Sequence, residues 1–231
     1  MNNFRSIPTV TKNILIITVI AFLATNLLKN KVDLTNILGL HYFLASDFKP
    51  YQFVTYIFMH GNLMHLFFNM FALFMFGAVL ENAWGPKRFL IFYIFTGLGA
   101  ALTQLAVYYF QVTPILESFN HVLAQTSSYA EQTEILEKKK EFLNRFVVVG
   151  ASGSLFGLLI AFGMMFPNAE LMMLFLPIPI KAKYFVALYG AIELFSGIAN
   201  SSGDNVAHFA HLGGMLFGFI LMMIWRTKRR Y

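Results

Sequence analysis

Apolar residues in this chain come in long continuous runs separated by short polar breaks, with no regular alternation. A helix needs about 20 such residues to cross a hydrocarbon layer about 30 Å thick. The runs predict six spans, at about 10–28, 62–83, 89–110, 147–166, 184–200 and 206–225, the first and fifth having short apolar cores. A transmembrane barrel would instead read as alternating segments of roughly 10 residues. The first run starts after Lys12 and no small-residue cleavage site follows it, so it reads as a span rather than a signal peptide. A further apolar stretch, Leu171 to Ile180, carries Pro177 and Pro179. Proline breaks a helix, so this stretch reads as a loop dipping into the membrane interface.

Residues 1–231 read as a single all-helical membrane domain in which 111–146 is an extended outer loop. Within that loop Ser128 and Glu131 have capping-box spacing. Ile135, Leu136, Phe142, Leu143 and Phe146 then follow at helical intervals, with Glu134 and Lys138 four apart. The pattern predicts an amphipathic helix over about 128–146, lying on or near the outer face of the membrane.

Composition agrees with the spans. Hydrophobic residues make up 58% of the chain and charged residues 12%, about half the charged share of a soluble domain, and mean hydropathy is +0.63. A soluble enzyme and a disordered chain are both excluded. With no cysteine, disulfides, thiolate catalysis and Cys-ligated zinc are excluded too. The net charge of +6 does not indicate nucleic acid, because the cations sit beside span ends, where they set orientation. With both ends cytoplasmic, the short inner segments carry Arg5, Lys12, Lys87, Arg88, Lys181, Lys183, Arg226, Lys228, Arg229 and Arg230. The outer segments carry Lys29, Lys31, Lys49, Lys138, Lys139, Lys140 and Arg145, four of them in the long loop. Ends-in is therefore the expected topology, with Trp84 and Trp225 as inner interface aromatics.

Polar residues inside spans are candidates for function. They are His65 and Asn69 in span two, Ser152 in span four, Glu193 in span five, and His208 and His211 in span six. Asn69, Ser152 and His211 each precede the inner end of their span by 14 residues, about 21 Å at 1.5 Å per residue. All three are thus expected at one depth, about 10 Å below the outer surface. Gly153 and Gly157 on span four, and Gly214 and Gly218 on span six, make two G-x-x-x-G pairs that let helices approach closely. His211 shares the face of Gly214 and Gly218, so a serine on span four can meet an imidazole on span six: a nucleophile beside a base. The glycines of Gly150-Ala151-Ser152-Gly153 permit a sharp turn that exposes N–H groups, as oxyanion stabilisation requires. His65 and Asn69, four apart on one helix face, can donate to the same charge.

Together these segments resemble the rhomboid intramembrane serine proteases. The matching residues are His60, His65 and Asn69 at the head of span two, Glu81 twelve residues further on, the Gly150–Gly153 segment, and Ala210-His211-Leu212-Gly213-Gly214 with Gly218. The resemblance implies a serine endopeptidase with a rhomboid-like bundle. Ser152 would be the nucleophile and His211 the base, with an oxyanion site from Asn69, His65, Gly150 and the Ser152 N–H. It makes His60 structural and lets Phe156, where relatives often carry tyrosine, stack on His211. It implies transmembrane protein substrates cut near their outer ends, the lipid bilayer as surroundings, and no cofactor; the expected location is the bacterial inner membrane. Two departures stand out: Tyr51-Gln52 replaces a frequent Trp-Arg pair, and the 111–146 loop is long. Two other readings remain. A metalloprotease would use His208 and His211, but no H-E-x-x-H motif occurs and no carboxylate is expected to accompany the pair, so no metal is expected. A transporter or channel would use Glu193 and the histidines as a proton relay, but no internal repeat supports it.

Overall fold

The computed structural model describes residues 7–173, 176–199 and 207–228. Arg5, Arg229 and Arg230, and the expected span boundaries at Asn200 and Val206, lie outside the described residues. The chain is mostly helical. Among the described residues, five helical segments are long and apolar enough to cross a membrane: Thr9–Leu28, Leu63–Trp84, Pro86–Gln125, Ala182–Ala199 and His208–Trp225. It is a multi-pass membrane protein.

Helix α1 is Thr9–Leu28. Short helices α2 (Leu34–Leu38) and α3 (Gln52–Thr55) flank strand β1 (Leu40–His41) in the first loop. The second span is α4 (Leu63–Ala72) and α5 (Ala78–Trp84), joined by one π-helical stretch, Leu73–Gly77. Gly85, at φ +81°, turns the chain, and Pro86 opens α6 at the first helical position, where its missing N–H costs nothing.

The fourth expected span is corrected. Its helix α8 begins only at Ser152 and ends at Met165. At 1.5 Å per residue its 14 residues cover about 21 Å, well short of a full crossing. Val147–Val148, expected as the start of that span, form strand β2, which pairs antiparallel with β1 (Leu40 opposite Val148). A run of valines suits an extended chain better than a helix. The serine is thus delivered by a short ribbon at the top of a short helix.

The segment expected to form an outer loop is also corrected. Helix α6 does not end near residue 110 but runs unbroken through Pro114 to Gln125. After a brief turn α7 (Tyr129–Asn144) folds back along it, with Phe119 and Phe142 rings 5.9 Å apart and Lys139 Nζ 2.9 Å from Asn120 Oδ1. Phe142, Leu143 and Phe146, expected to face lipid, instead cover α6 and the first loop, while Leu136 stays exposed. Leu143 is buried, and Phe146 meets Tyr108 and Tyr42. Ser128 caps without a side-chain bond, while the Glu134–Lys138 pair forms.

The third correction is Leu171–Ile180. Instead of a loop it contributes to a hairpin of β3 (Glu170–Met173) and β4 (Leu176–Lys181), with Leu171 opposite Ile180 and Met172 opposite Pro179. A two-stranded ribbon has only edges, where proline is tolerated. Helices α9 (Ala182–Ala199) and α10 (His208–Lys228) follow.

Two fastenings hold the frame. The Glu81 carboxylate accepts from the N–H groups of Val10 (2.9 Å) and Thr11 (2.7 Å) and from the Thr11 hydroxyl (2.8 Å). It caps α1, whose own N-cap, Pro8, offers no side-chain acceptor. Gln52 is fully buried; its amide oxygen accepts from His41 and Lys49, and its nitrogen donates to the carbonyls of Ile37 and Asp47. The first loop is therefore anchored by a neutral side chain. At the far end Trp84 and Trp225 meet edge-on at 5.5 Å, which sets the ends of α5 and α10 side by side.

Candidate active site

Helix α8 sits between α6 and α10, almost wholly buried. Small residues make this possible: a Cβ at residue 214 would collide with the Gly153 carbonyl oxygen, and one at 218 would lie 3.1 Å from Gly157 Cα. This contact brings the start of α8 against the start of α10. Ser152 Oγ lies 2.7 Å from His211 Nε2. The Phe156 ring, one turn along α8, stacks on the imidazole with centroids 4.3 Å apart and planes 9° from parallel. His211 is buried and Ser152 half-buried. The other serine of this helix, Ser154, is turned toward Gly97 of α6, where its hydroxyl is buried and unpaired.

Span two supplies the opposite wall. Gly150 has φ +125°, a conformation open to glycine alone, and a Cβ there would fall 2.7 Å from the His65 ring and 3.7 Å from Asn69 Nδ2. Gly150 was a candidate oxyanion donor, but its N–H is already bonded to the Tyr56 carbonyl at 2.9 Å. What Gly150 provides is room for His65. The Ser152 N–H, at the first position of α8, is one of those a helix leaves unpaired. Asn69 Nδ2 is buried without a partner. Asn62 caps α4 by accepting from the His65 N–H at 2.8 Å, which fixes where the His65 ring begins. His60, in the turn before α4, packs on it with ring centroids 4.9 Å apart. Burial, helped by His65, pushes the His60 imidazole down to about 4, so His60 is neutral at ordinary pH.

Between these walls lies a cavity of about 410 Å³. Asn69 and Ser152 line it, with Phe68, Met75, Phe76 and Leu159 among its apolar walls, and Phe185 and Tyr189 on the α9 side. It is large enough for several side chains of an extended peptide.

One residue of the site was not recognised from sequence as part of it. Glu193 of α9 places Oε2 2.6 Å from His208 Nδ1 and 2.9 Å from His211 Nδ1. The first contact is a hydrogen bond; the second has the length of one but lies off the line of the ring N–H, so that Nδ1 stays without a properly directed acceptor. The expectation that no carboxylate accompanies the two histidines is thereby overturned: Glu193 is far in sequence but adjacent in space. Glu193, His208 and His211 offer three ligand atoms within 4.8 Å of one another, a set able to hold a divalent cation. Such an ion on His211 Nδ1 would leave the ring's proton on Nε2, facing Ser152, and so remove the lone pair a base needs. The signal for Glu193 was its type, a lone carboxylate in an apolar span.

The chain is 28% identical over 180 residues to Rhomboid-like protein 11, chloroplastic, of Arabidopsis thaliana, covering 75% of this chain and 52% of that protein. It is 26% identical over 175 residues to the Rhomboid protease AarA of Providencia stuartii, covering 72% and 53%. Over 185 residues it is 27% identical to the Putative rhomboid protease YdcA of Bacillus subtilis, covering 78% and 71%. The chain spans about half the length of the first two. Because one of these names is plastid and the others bacterial, kinship does not fix which membrane this protein occupies. The Rhomboid domain model matches residues 47–228, a stretch containing Asn69, Ser152, Glu193 and His211, and the chain belongs to the rhomboid family.

Proposed function

We propose that this protein is an intramembrane serine endopeptidase that cuts transmembrane helices near their outer ends, with both of its own termini cytoplasmic. The observation that carries the reading is the 2.7 Å approach of His211 Nε2 to Ser152 Oγ beside an apolar cavity. His211 takes the serine proton as Oγ attacks the scissile carbonyl, and returns it to the leaving amine as the C–N bond breaks. Asn69 Nδ2, the Ser152 N–H and the His65 ring donate to the oxyanion. The short α8 supports a site about 10 Å below the outer surface, since a helix about 21 Å long that reaches the inner boundary stops that far below the outer one. A substrate helix must unwind there to expose its backbone, which favours substrates with glycine, proline or polar residues at that level. Two relatives are named as proteases or putative proteases, which supports the same activity here.

The test is cleavage of a reporter transmembrane helix by purified protein. Ser152→Ala and His211→Ala should each reduce cleavage to background, and EDTA should leave the wild-type rate unchanged. A rate lost in EDTA and restored by zinc would overturn the serine mechanism in favour of an ion on Glu193, His208 and His211. Proton-coupled transport by liposomes holding an uncleaving wild-type protein would favour a relay through the same three residues.

A further inference from the structure

We propose that Glu193 is a positioning residue for His211, so that this site works as a Ser152–His211–Glu193 relay rather than as an isolated pair. The inference rests on the serine-protease reading above. A base must present a lone pair at Nε2 to Ser152, which requires the ring proton on Nδ1. Nothing in an apolar helix bundle enforces that tautomer unless an acceptor faces Nδ1. Glu193 Oε2 stands 2.9 Å from that atom, on a side chain only 10% exposed. Its present direction is off the N–H line, as is common for catalytic hydrogen bonds before substrate binds.

His208 explains why the carboxylate stays in place. Its Nδ1 binds the same Oε2 at 2.6 Å, and it sits one turn before His211 on α10. His208 therefore holds Glu193 over His211, and its role is one step further from the chemistry. During catalysis the Ser152 proton moves to Nε2 as the Oγ–C bond forms. The imidazolium so created carries N–H on both nitrogens, and Glu193 balances its charge without taking a proton. The proton then leaves Nε2 for the amine as the peptide bond breaks, and the site is restored. Water reverses the sequence to release the acyl group. Phe156 holds the ring plane from one face, but stacking leaves the tautomer free; only a group at the ring edge can set it.

The experiment compares wild type with Glu193→Leu, Glu193→Gln, Glu193→Asp and Ser152→Ala as full-length proteins in detergent. Cleavage of a transmembrane reporter gives kcat and KM, and nitrogen NMR of ¹⁵N-labelled histidine reads the tautomer. Glu193→Leu should lower kcat by between about 10-fold and the roughly 10,000-fold that follows loss of the orienting carboxylate in serine-protease triads. KM should stay within about twofold, as expected when only the transition state loses support. The His211 signal should shift from the Nδ1–H form toward the Nε2–H form. Glu193→Asp should recover part of the rate. Glu193→Gln keeps the volume without the charge, should also lower kcat, and stands in if the leucine variant does not fold. A folded Glu193→Leu or Glu193→Gln protein with wild-type kcat and an unchanged histidine spectrum would overturn the proposal. If Ser152→Ala is inactive in the same assay, only the role of Glu193 then fails; if Ser152→Ala still cleaves, the serine-protease reading itself fails.

Discussion

The rings of Phe156 and His211 lie 4.3 Å apart and 9° from parallel, with Phe156 one turn beyond Ser152 on the same helix. The helix that carries the hydroxyl thus also fixes the plane of the imidazole facing it. The two side chains are set against each other by the close approach of Gly153 and Gly214, so neither position is independent of the backbone contact behind it.

That stacking predicts a graded response. An aromatic pair contributes about 0.5–1.5 kcal/mol beyond area burial, or about 2- to 10-fold in rate if all of it holds the imidazole. Phe156→Ala should lower kcat by that much, and Phe156→Tyr should stay near wild type because the ring face is kept. Steady-state kinetics on the two variants checks this; an unchanged Phe156→Ala rate would mean that the ring is held from elsewhere.

Ser154 is the obvious rival nucleophile, two residues on. Its hydroxyl points at Gly97 and is buried without a partner, whereas Ser152 meets His211. Ser154→Ala should keep full labelling by a serine-directed fluorophosphonate and should not lower thermal stability, since it removes an unpaired polar atom. Ser152→Ala should not label. Labelling that follows Ser154 instead would reassign the nucleophile.

The unpaired Asn69 nitrogen predicts a transition-state effect. Removing one oxyanion donor costs about 100- to 1,000-fold in turnover, so Asn69→Ala should lower kcat by that range with KM little changed. Gly150→Ala should harm the same step by a different route, because its Cβ would press on the His65 ring and its φ of +125° disfavours alanine. A pure KM effect in Asn69→Ala would show that the amide positions substrate instead.

How much of this was legible in the sequence depends on whether the signal is local. Ser152, His211 and their glycines sit on two helices whose 3.6-residue periodicity fixes which faces meet, so their encounter could be read from spacing. The meeting of Glu193 with His208 and His211 could not, because nothing in the periodicity of α9 says which α10 residues it faces. The start of α8 was misread because Val147 and Val148 are as apolar as a helix requires, and only pairing with Leu40 and His41 makes them a strand. The end of α6 was expected near residue 110, where the apolar run gives way to Gln111 and Thr113, but the helix goes on through Pro114 to Gln125. A mid-helix proline costs about 3 kcal/mol locally, and packing of the helix extension against α7, through Phe119 and Phe142, offsets it.

The α6–α7 hairpin gives the last prediction, because its base and its tip touch different things. At the base, Asn144 bonds Ser46 and the Asp47 N–H, Leu143 is buried, and Phe146 packs on Tyr42 and Tyr108 just before β2. These contacts hold the ribbon that leads to Gly150 and Ser152. The tip, from about residue 115 to 140, meets mainly its own two helices, through pairs such as Lys139 and Asn120. A Gly/Ser linker of about eight residues reaches roughly 15 Å, enough to join neighbouring helices. Replacing 115–140 with it should leave fluorophosphonate labelling of Ser152 intact while changing the rate or choice of transmembrane substrates. Extending the replacement through residue 146 should abolish labelling, because the ribbon then loses its support. Loss of labelling in the shorter replacement, with the protein still folded by circular dichroism, would make the tip part of the active-site frame.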